Sequence, residues 1–310
     1  MPHSHSPTVH RSEIMIRNIN IEFRGGGTIL RGRMFTPVVP GSKLPTFVVT
    51  GSWSSVKEQN PAAYAERLAS DGYQVITFDH TGFGQSDGFP RNVEDPNLKV
   101  ADVKAAADFA LGLDSTDPDK LYGLGICAGG GYMVRAVGED KRFKGLVTVA
   151  GWLTDKSSMQ AFFGENFALL QEMGDGALAK FNETGEVDYL LAAGPEGAPA
   201  AMAMDAANDY YVLKHSHGAW LNRFAKQSFA SITRFDSISS AVEQSVPTVM
   251  VHADNALLPE SIKAYFAAIP HNNKQLIWQG SAQQIEFYYV PELVESSAKA
   301  VSEFFARKAA

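Results

Sequence analysis

The chain has one cysteine, Cys127, so it cannot form an internal disulfide. Folding then needs no oxidising compartment, and a cytoplasmic location suits the free thiol. No apolar run approaches the length needed to span a membrane. Residues 1–12 lack the basic and then apolar regions of a signal peptide and read as a disordered tail, whose His3, His5 and His10 need no metal to explain them. No His-x-x-His pair and no cysteine cluster appears, so no metal is expected. Positive charge is also short. The 27 Lys and Arg are outnumbered by 34 Asp and Glu, and the net charge of -7 argues against nucleic acid and against anionic membrane surfaces as partners. There is no internal repeat and no low-complexity linker.

What is present fits one large α/β domain with an insertion. The 310 residues suffice for a sizeable core, and 45% hydrophobic with 20% charged residues is ordinary for a globular protein. Ile14 to Phe23 and Thr28 to Phe35 alternate around Gly25-Gly26-Gly27, which predicts an antiparallel hairpin. Continuous apolar runs at Thr46 to Thr50, Tyr73 to Phe78 and Phe143 to Val149 predict strands buried on both faces. Between them, Asn60-Pro61 opens a helix to Ala69, and Val100 to Leu111 forms another. This alternation predicts a parallel sheet. From Trp152 to about Phe235 the spacing is helical, with no strand runs, and predicts a lid. Strands resume at Val246 to Val251 and Gln275 to Trp278. Helices follow over Ser261 to Ala268 and Pro291 to Arg307. The expected division is a core over 13–151 and 236–310 with a helical lid over 152–235.

The stretch Gly125-Ile126-Cys127-Ala128-Gly129 carries the chemistry. A strand, Lys120 to Leu124, runs in, and a helix, Gly130 to Val137, runs out. The glycines permit a sharp turn that lifts the Cys127 side chain clear of the sheet, as a nucleophile elbow requires. A helix N-terminus favours the thiolate, so a lowered thiol pKa is expected. The plain alternative is a small buried side chain.

Taken with Val56-Lys57-Glu58-Gln59, Phe78-Asp79, Gly82-Phe83-Gly84-Gln85-Ser86, Arg234-Phe235-Asp236, Val251-His252-Ala253-Asp254, Phe287-Tyr288 and Pro291-Glu292, the elbow through Tyr132 makes the chain resemble the α/β-hydrolase superfamily. Within it the chain is similar to dienelactone hydrolases and Xaa-Pro dipeptidyl-peptidase-like hydrolases. The resemblance implies an α/β-hydrolase fold, with a mostly parallel central sheet flanked by helices and a helical lid insertion. It also implies the chain order nucleophile, acid, histidine.

Cys127 takes the first role. The oxyanion hole would use the Ala128 backbone N–H and a second N–H from Ser52 or Trp53. Asp254 is the candidate acid, with a turn-forming Asp-Asn pair as its alternative. Where the histidine is expected the chain has Gln284, and no histidine lies beyond His271. A carboxamide does not titrate near neutral pH and cannot shuttle a proton. Substitute bases to consider are His80, His252, Glu58, His215 and His217. Each has a structural alternative as a loop, buried or surface residue.

Three functions stay open. The first is an enzyme acting on the carbonyl of a small hydrophobic ester, lactone or thioester. The second is a non-hydrolytic lyase, isomerase, cyclase or acyltransferase, since the water-activating histidine is gone. The third is a pseudoenzyme or binding protein. No cofactor is implied. An aromatic-rich lid is compatible with a homodimer, which the sequence does not demand.

Overall fold

The computed structural model describes residues 14–39 and 41–309; the expected tail over 1–12 lies outside the described residues. The strands are β1 (Ile16–Gly25), β2 (Thr28–Pro37), β3 (Leu44–Thr50), β4 (Gln74–Phe78), β5 (Thr116–Ile126), β6 (Gly145–Val149), β7 (Tyr189–Gly194), β8 (Ala200–Ala203), β9 (Phe224–Ala225), β10 (Thr248–His252) and β11 (Lys274–Trp278). The first five helices of eight residues or more are α1 (Asn60–Ser70), α2 (Pro96–Leu111), α3 (Ala128–Glu139), α4 (Lys156–Phe163) and α5 (Asn166–Thr184). Two later ones cover Pro259–Ala268 and Pro291–Ala309.

Eight strands form the main sheet in the order β1-β2-β4-β3-β5-β6-β10-β11. The β1–β2 and β2–β4 pairs are antiparallel. From β4 to β11 every neighbouring pair is parallel. This is the mostly parallel α/β-hydrolase sheet. Its central strands β4 and β6 are buried at every position, as their unbroken apolar runs require. Helices pack on the sheet and share one core with it: Val103, Ala106 and Ala110 of α2, Met133 and Val137 of α3, and Val301 and Phe305 of the last helix are buried.

Two expectations need correction. The insertion is not purely helical: β7, β8 and β9 form a three-stranded sheet, with β7–β8 parallel and β7–β9 antiparallel. Asn60 is also not the cap of α1; Gln59 precedes the helix without a side-chain cap, while the Asn60 amide donates to Ser52 Oγ at 2.7 Å. Among the described residues, no helix is long and apolar enough to cross a membrane.

Candidate active site

Cys127 sits at the join between β5 and α3 with φ +55° and ψ -122°, a left-handed backbone that a side-chain-bearing residue adopts only under constraint. The neighbouring chains explain the constraint. A Cβ on Gly125 would lie 2.2 Å from the Gly129 carbonyl oxygen, and one on Gly129 would lie 2.5 Å from the Gly51 carbonyl oxygen. Glycine is therefore required on both sides of the turn. The turn is held by Cys127 N–H donating to Val149 O at 3.1 Å and by Trp152 N–H donating to Cys127 O at 2.8 Å.

The thiol is only 7% exposed, yet it lines a cavity of about 110 Å³ with Trp53, Trp152, Phe162, Met202, Gln284 and Tyr288 among its walls. Burial pushes the Cys127 pKa up. The Tyr288 hydroxyl and the Ala128 and Trp53 backbone N–H groups pull it partly back, while the Glu94 charge adds to the rise. The expected lowering by the helix N-terminus is thus overturned, because desolvation of a charged sulfur outweighs the donors. Two N–H groups and a phenol thus converge on one sulfur.

Gln284 is fully committed. Its Oε1 accepts the Leu257 N–H at 2.9 Å, and its Nε2 donates to Ala150 O at 2.8 Å and to the Tyr288 hydroxyl oxygen at 3.2 Å. The donation fills an acceptor site on the phenol and leaves its own proton free to point at the sulfur. Burial, followed by the proximity of Cys127, raises the Tyr288 pKa well above the ordinary tyrosine range, so the phenol stays protonated. In the sequence Tyr288 is only part of a pattern; its place beside the thiol comes from chain segments that meet only in the fold.

Other expected residues fall elsewhere. Asp254 is exposed and its carboxylate accepts the Trp278 indole N–H at 2.8 Å; it does not meet Gln284. The Ser52 N–H is directed at Asn60 Oδ1 at 3.3 Å, and its hydroxyl bonds Tyr211, so the Trp53 N–H rather than that of Ser52 faces the thiol. His80 places Nδ1 3.1 Å from the buried Asp102 carboxylate, and burial lowers its pKa. His252 is fully buried against Trp278, and burial pushes its pKa down to about 4. Glu58, His215 and His217 line a separate cleft. No imidazole is among the groups that set the thiol pKa. Among the described residues no cluster of His, Cys, Asp and Glu could hold a metal ion.

Glu94 is a site residue with no signal in the sequence pattern. It is fully buried, and one carboxylate oxygen accepts from Lys99 Nζ at 2.5 Å and from the Tyr132 hydroxyl at 2.6 Å. The other accepts the Ser54 backbone N–H at 3.0 Å, one residue beyond Trp53.

Comparison with known proteins agrees with this frame. An uncharacterized Pseudomonas aeruginosa protein, PA2218, is 39% identical over 108 residues, covering 35% of this chain and 29% of the relative. Its crystal structure superposes with a TM-score of 0.81 at 22% identity, covering 99% of both chains. The acyltransferase drtE of Aspergillus calidoustus is 30% identical over 141 residues, covering 46% of this chain and 45% of that protein. The matched segments therefore span less than half the length of either curated relative. The structure of DcsB in complex with its substrate analogue has a TM-score of 0.78 at 22% identity, covering 94% of this chain and 99% of that one. Residues 59–282 match the model of the S33 serine aminopeptidases, and the chain belongs to this α/β-hydrolase family, with cysteine at the elbow of a family named for serine.

Proposed function

We propose that the chain is an enzyme of the dienelactone hydrolase-like branch that acts on the carbonyl of a small hydrophobic ester, lactone or thioester. Cys127 attacks, and the Trp53 and Ala128 N–H groups hold the oxyanion. The carrying observation is that the thiol, Trp53, the Tyr288 phenol and a committed carboxamide, Gln284, line one cavity whose walls carry no imidazole. Segment 152–235 acts as the lid, contributing Phe162, Phe163, Met202 and Met204 to the apolar wall.

In the first step sulfur bonds to the carbonyl carbon and the carbonyl π pair moves to oxygen. The Tyr288 hydroxyl turns from the sulfur to the leaving oxygen, and its oxygen takes the thiol proton as it gives up its own. Collapse of the oxyanion expels an alcohol and leaves a thioester on Cys127. Resolution by water needs a base that the cavity lacks, so the thioester persists until another nucleophile takes the acyl group. Acyl transfer is therefore favoured over hydrolysis. The acyltransferase name of one relative is in line with this. A cytoplasmic setting suits the free thiol.

Burial of the thiol supports a second reading, in which sulfur stays protonated and the donors polarise a carbonyl for a non-covalent lyase or isomerase step. One experiment separates them. The protein is mixed with p-nitrophenyl butyrate and weighed intact. A long-lived butyryl adduct, absent in Cys127→Ala, supports acyl transfer. Turnover without an adduct, unchanged in Cys127→Ala, overturns the covalent reading.

A further inference from the structure

The small sheet of the insertion runs β8-β7-β9, so β8 has a partner on one side only. An edge strand leaves backbone N–H and C=O groups unpaired. The ladder fixes which residue leaves them. Met202 is in register with Ala193, whose own N–H and C=O are both taken, at 2.9 Å each, by the side-chain amide of Asn222. The rung between Ala193 and Met202 is therefore closed by the N–H and C=O of Met202. Two residues on, the Met204 N–H donates to Gly194 O at 3.0 Å. Successive residues of a strand turn these groups to opposite sides, so those of Ala203 face away from β7. Among the described residues they meet no other hydrogen-bonding partner.

That free pair stands at the Cys127 cavity. Residues 201–204 all line it. Side chains alternate between the faces of a strand, so a cavity that touches four consecutive residues meets the strand along its edge. Ala203 is exposed and lines the cavity as well, which places it at the mouth. The polar side chains of the wall are already engaged: the Gln284 amide has three partners, and the Tyr288 hydroxyl serves that amide and the thiol. The rest of the wall is aromatic and aliphatic. The edge thus adds one donor and one acceptor, on the same side of the same residue.

We propose that this edge holds an acylamino acid unit of the substrate, laid along β8 as an added strand. Its N–H donates to the Ala203 carbonyl oxygen, and its own C=O accepts the Ala203 N–H. The N–H and C=O of one amino acid residue point to the same side of an extended chain, which matches the pair that Ala203 presents. The apolar acyl chain on its nitrogen enters the cavity of about 110 Å³. The proposal rests on that cavity being the substrate site, but not on the covalent step assigned to Cys127.

The test uses full-length Cys127→Ala, which removes the attacking sulfur and leaves β8 as it is. N-butyryl-L-alanine methylamide is titrated in, against O-butyryl-L-lactic acid methylamide, where an ester oxygen takes the place of the alanine N–H. Binding is read by tryptophan fluorescence, since Trp53 and Trp152 wall the cavity. The amide should bind ~tenfold or more tightly than the ester, which loses one hydrogen bond and sets an oxygen against the Ala203 carbonyl oxygen. Adding Ala203→Pro removes the Ala203 N–H at an edge position that the ladder does not use. The fold, checked by circular dichroism, should be kept, and the amide should bind severalfold more weakly. Equal affinity for the two compounds, no saturable binding of the amide, or affinity unchanged in the folded proline variant overturns the site. The butyryl adduct on the wild type reads the acyl-transfer step separately, so the two inferences fail independently.

Discussion

Glu94 accepts the backbone N–H of Ser54 at 3.0 Å, and so anchors the chain one residue beyond the Trp53 N–H that faces the thiol. Ser54 needs that anchor, because its φ of +55° is a conformation a serine does not hold cheaply. The same carboxylate neutralises Lys99, which is 3% exposed. Removing one partner of a buried ion pair leaves the other charge stranded. Glu94→Ala should therefore cost ~3–5 kcal/mol of stability, read by urea unfolding. Adding Lys99→Met should recover part of the loss, because the stranded charge goes with it. A loss below ~1 kcal/mol, the range of exposed pairs, would contradict this role.

The Tyr288 hydroxyl donates towards the Cys127 sulfur. The wild-type thiol already titrates above its ordinary value because it is buried. Tyr288→Phe removes a donor that favours the thiolate, so the pKa moves higher still. The rate of Cys127 alkylation by iodoacetamide should climb with pH in both proteins, with the midpoint of the variant shifted upward. At pH 8 the variant should react several-fold more slowly, since each pKa unit changes the thiolate fraction about tenfold. A midpoint that stays put or moves down would show that the phenol does not serve the sulfur.

The elbow was legible because everything that makes it is local: a buried strand, two glycines and a helix within a dozen residues. The central strands were legible for the same reason, since burial on both faces leaves an unbroken apolar run. The small sheet of the insertion was not. Its strands hold six, four and two residues, too few for alternation to register against the helices around them. Asn60 beside Pro61 carries a capping signature, but a tertiary partner, Ser52, claims its side chain. Glu94 and Tyr288 depend on contacts between segments far apart in the chain. The thiol pKa runs against its helix position for a related reason: helix position can be read from sequence, whereas depth of burial cannot.

His252 gives a prediction in acid. Folded, its pKa is pushed down to about 4 by burial; unfolded, it returns to the ordinary 6.5. The unfolded chain therefore takes up a proton in a pH range where the folded one does not. Stability is full above pH 6.5 and declines as the pH falls towards 4, by up to about 3 kcal/mol from this residue. His80, also shifted down by burial, acts in the same sense. His252→Phe stays uncharged in both states and keeps a ring against Trp278. Its urea-derived stability should fall less steeply over that range than that of the wild type. Equal slopes would mean that His252 is charged in the fold.

Gln284→His tests whether the missing imidazole alone accounts for the slow deacylation proposed above. A positioned general base contributes ~10²–10⁴ in rate, provided that something orients it. Here the orienting acid is missing too: Asp254 is exposed and bonded to the Trp278 indole, while the amide oxygen at position 284 is held by the Leu257 N–H. A histidine placed there lacks a carboxylate to fix its tautomer or to stabilise its charged form. It also forfeits the amide donation that orders the Tyr288 phenol. Deacylation of a butyryl-Cys127 adduct, followed by intact mass after rapid removal of ester, should therefore accelerate by less than ~10². A gain across the full range would show that an acid does reach position 284, and would make ordinary hydrolysis one substitution away.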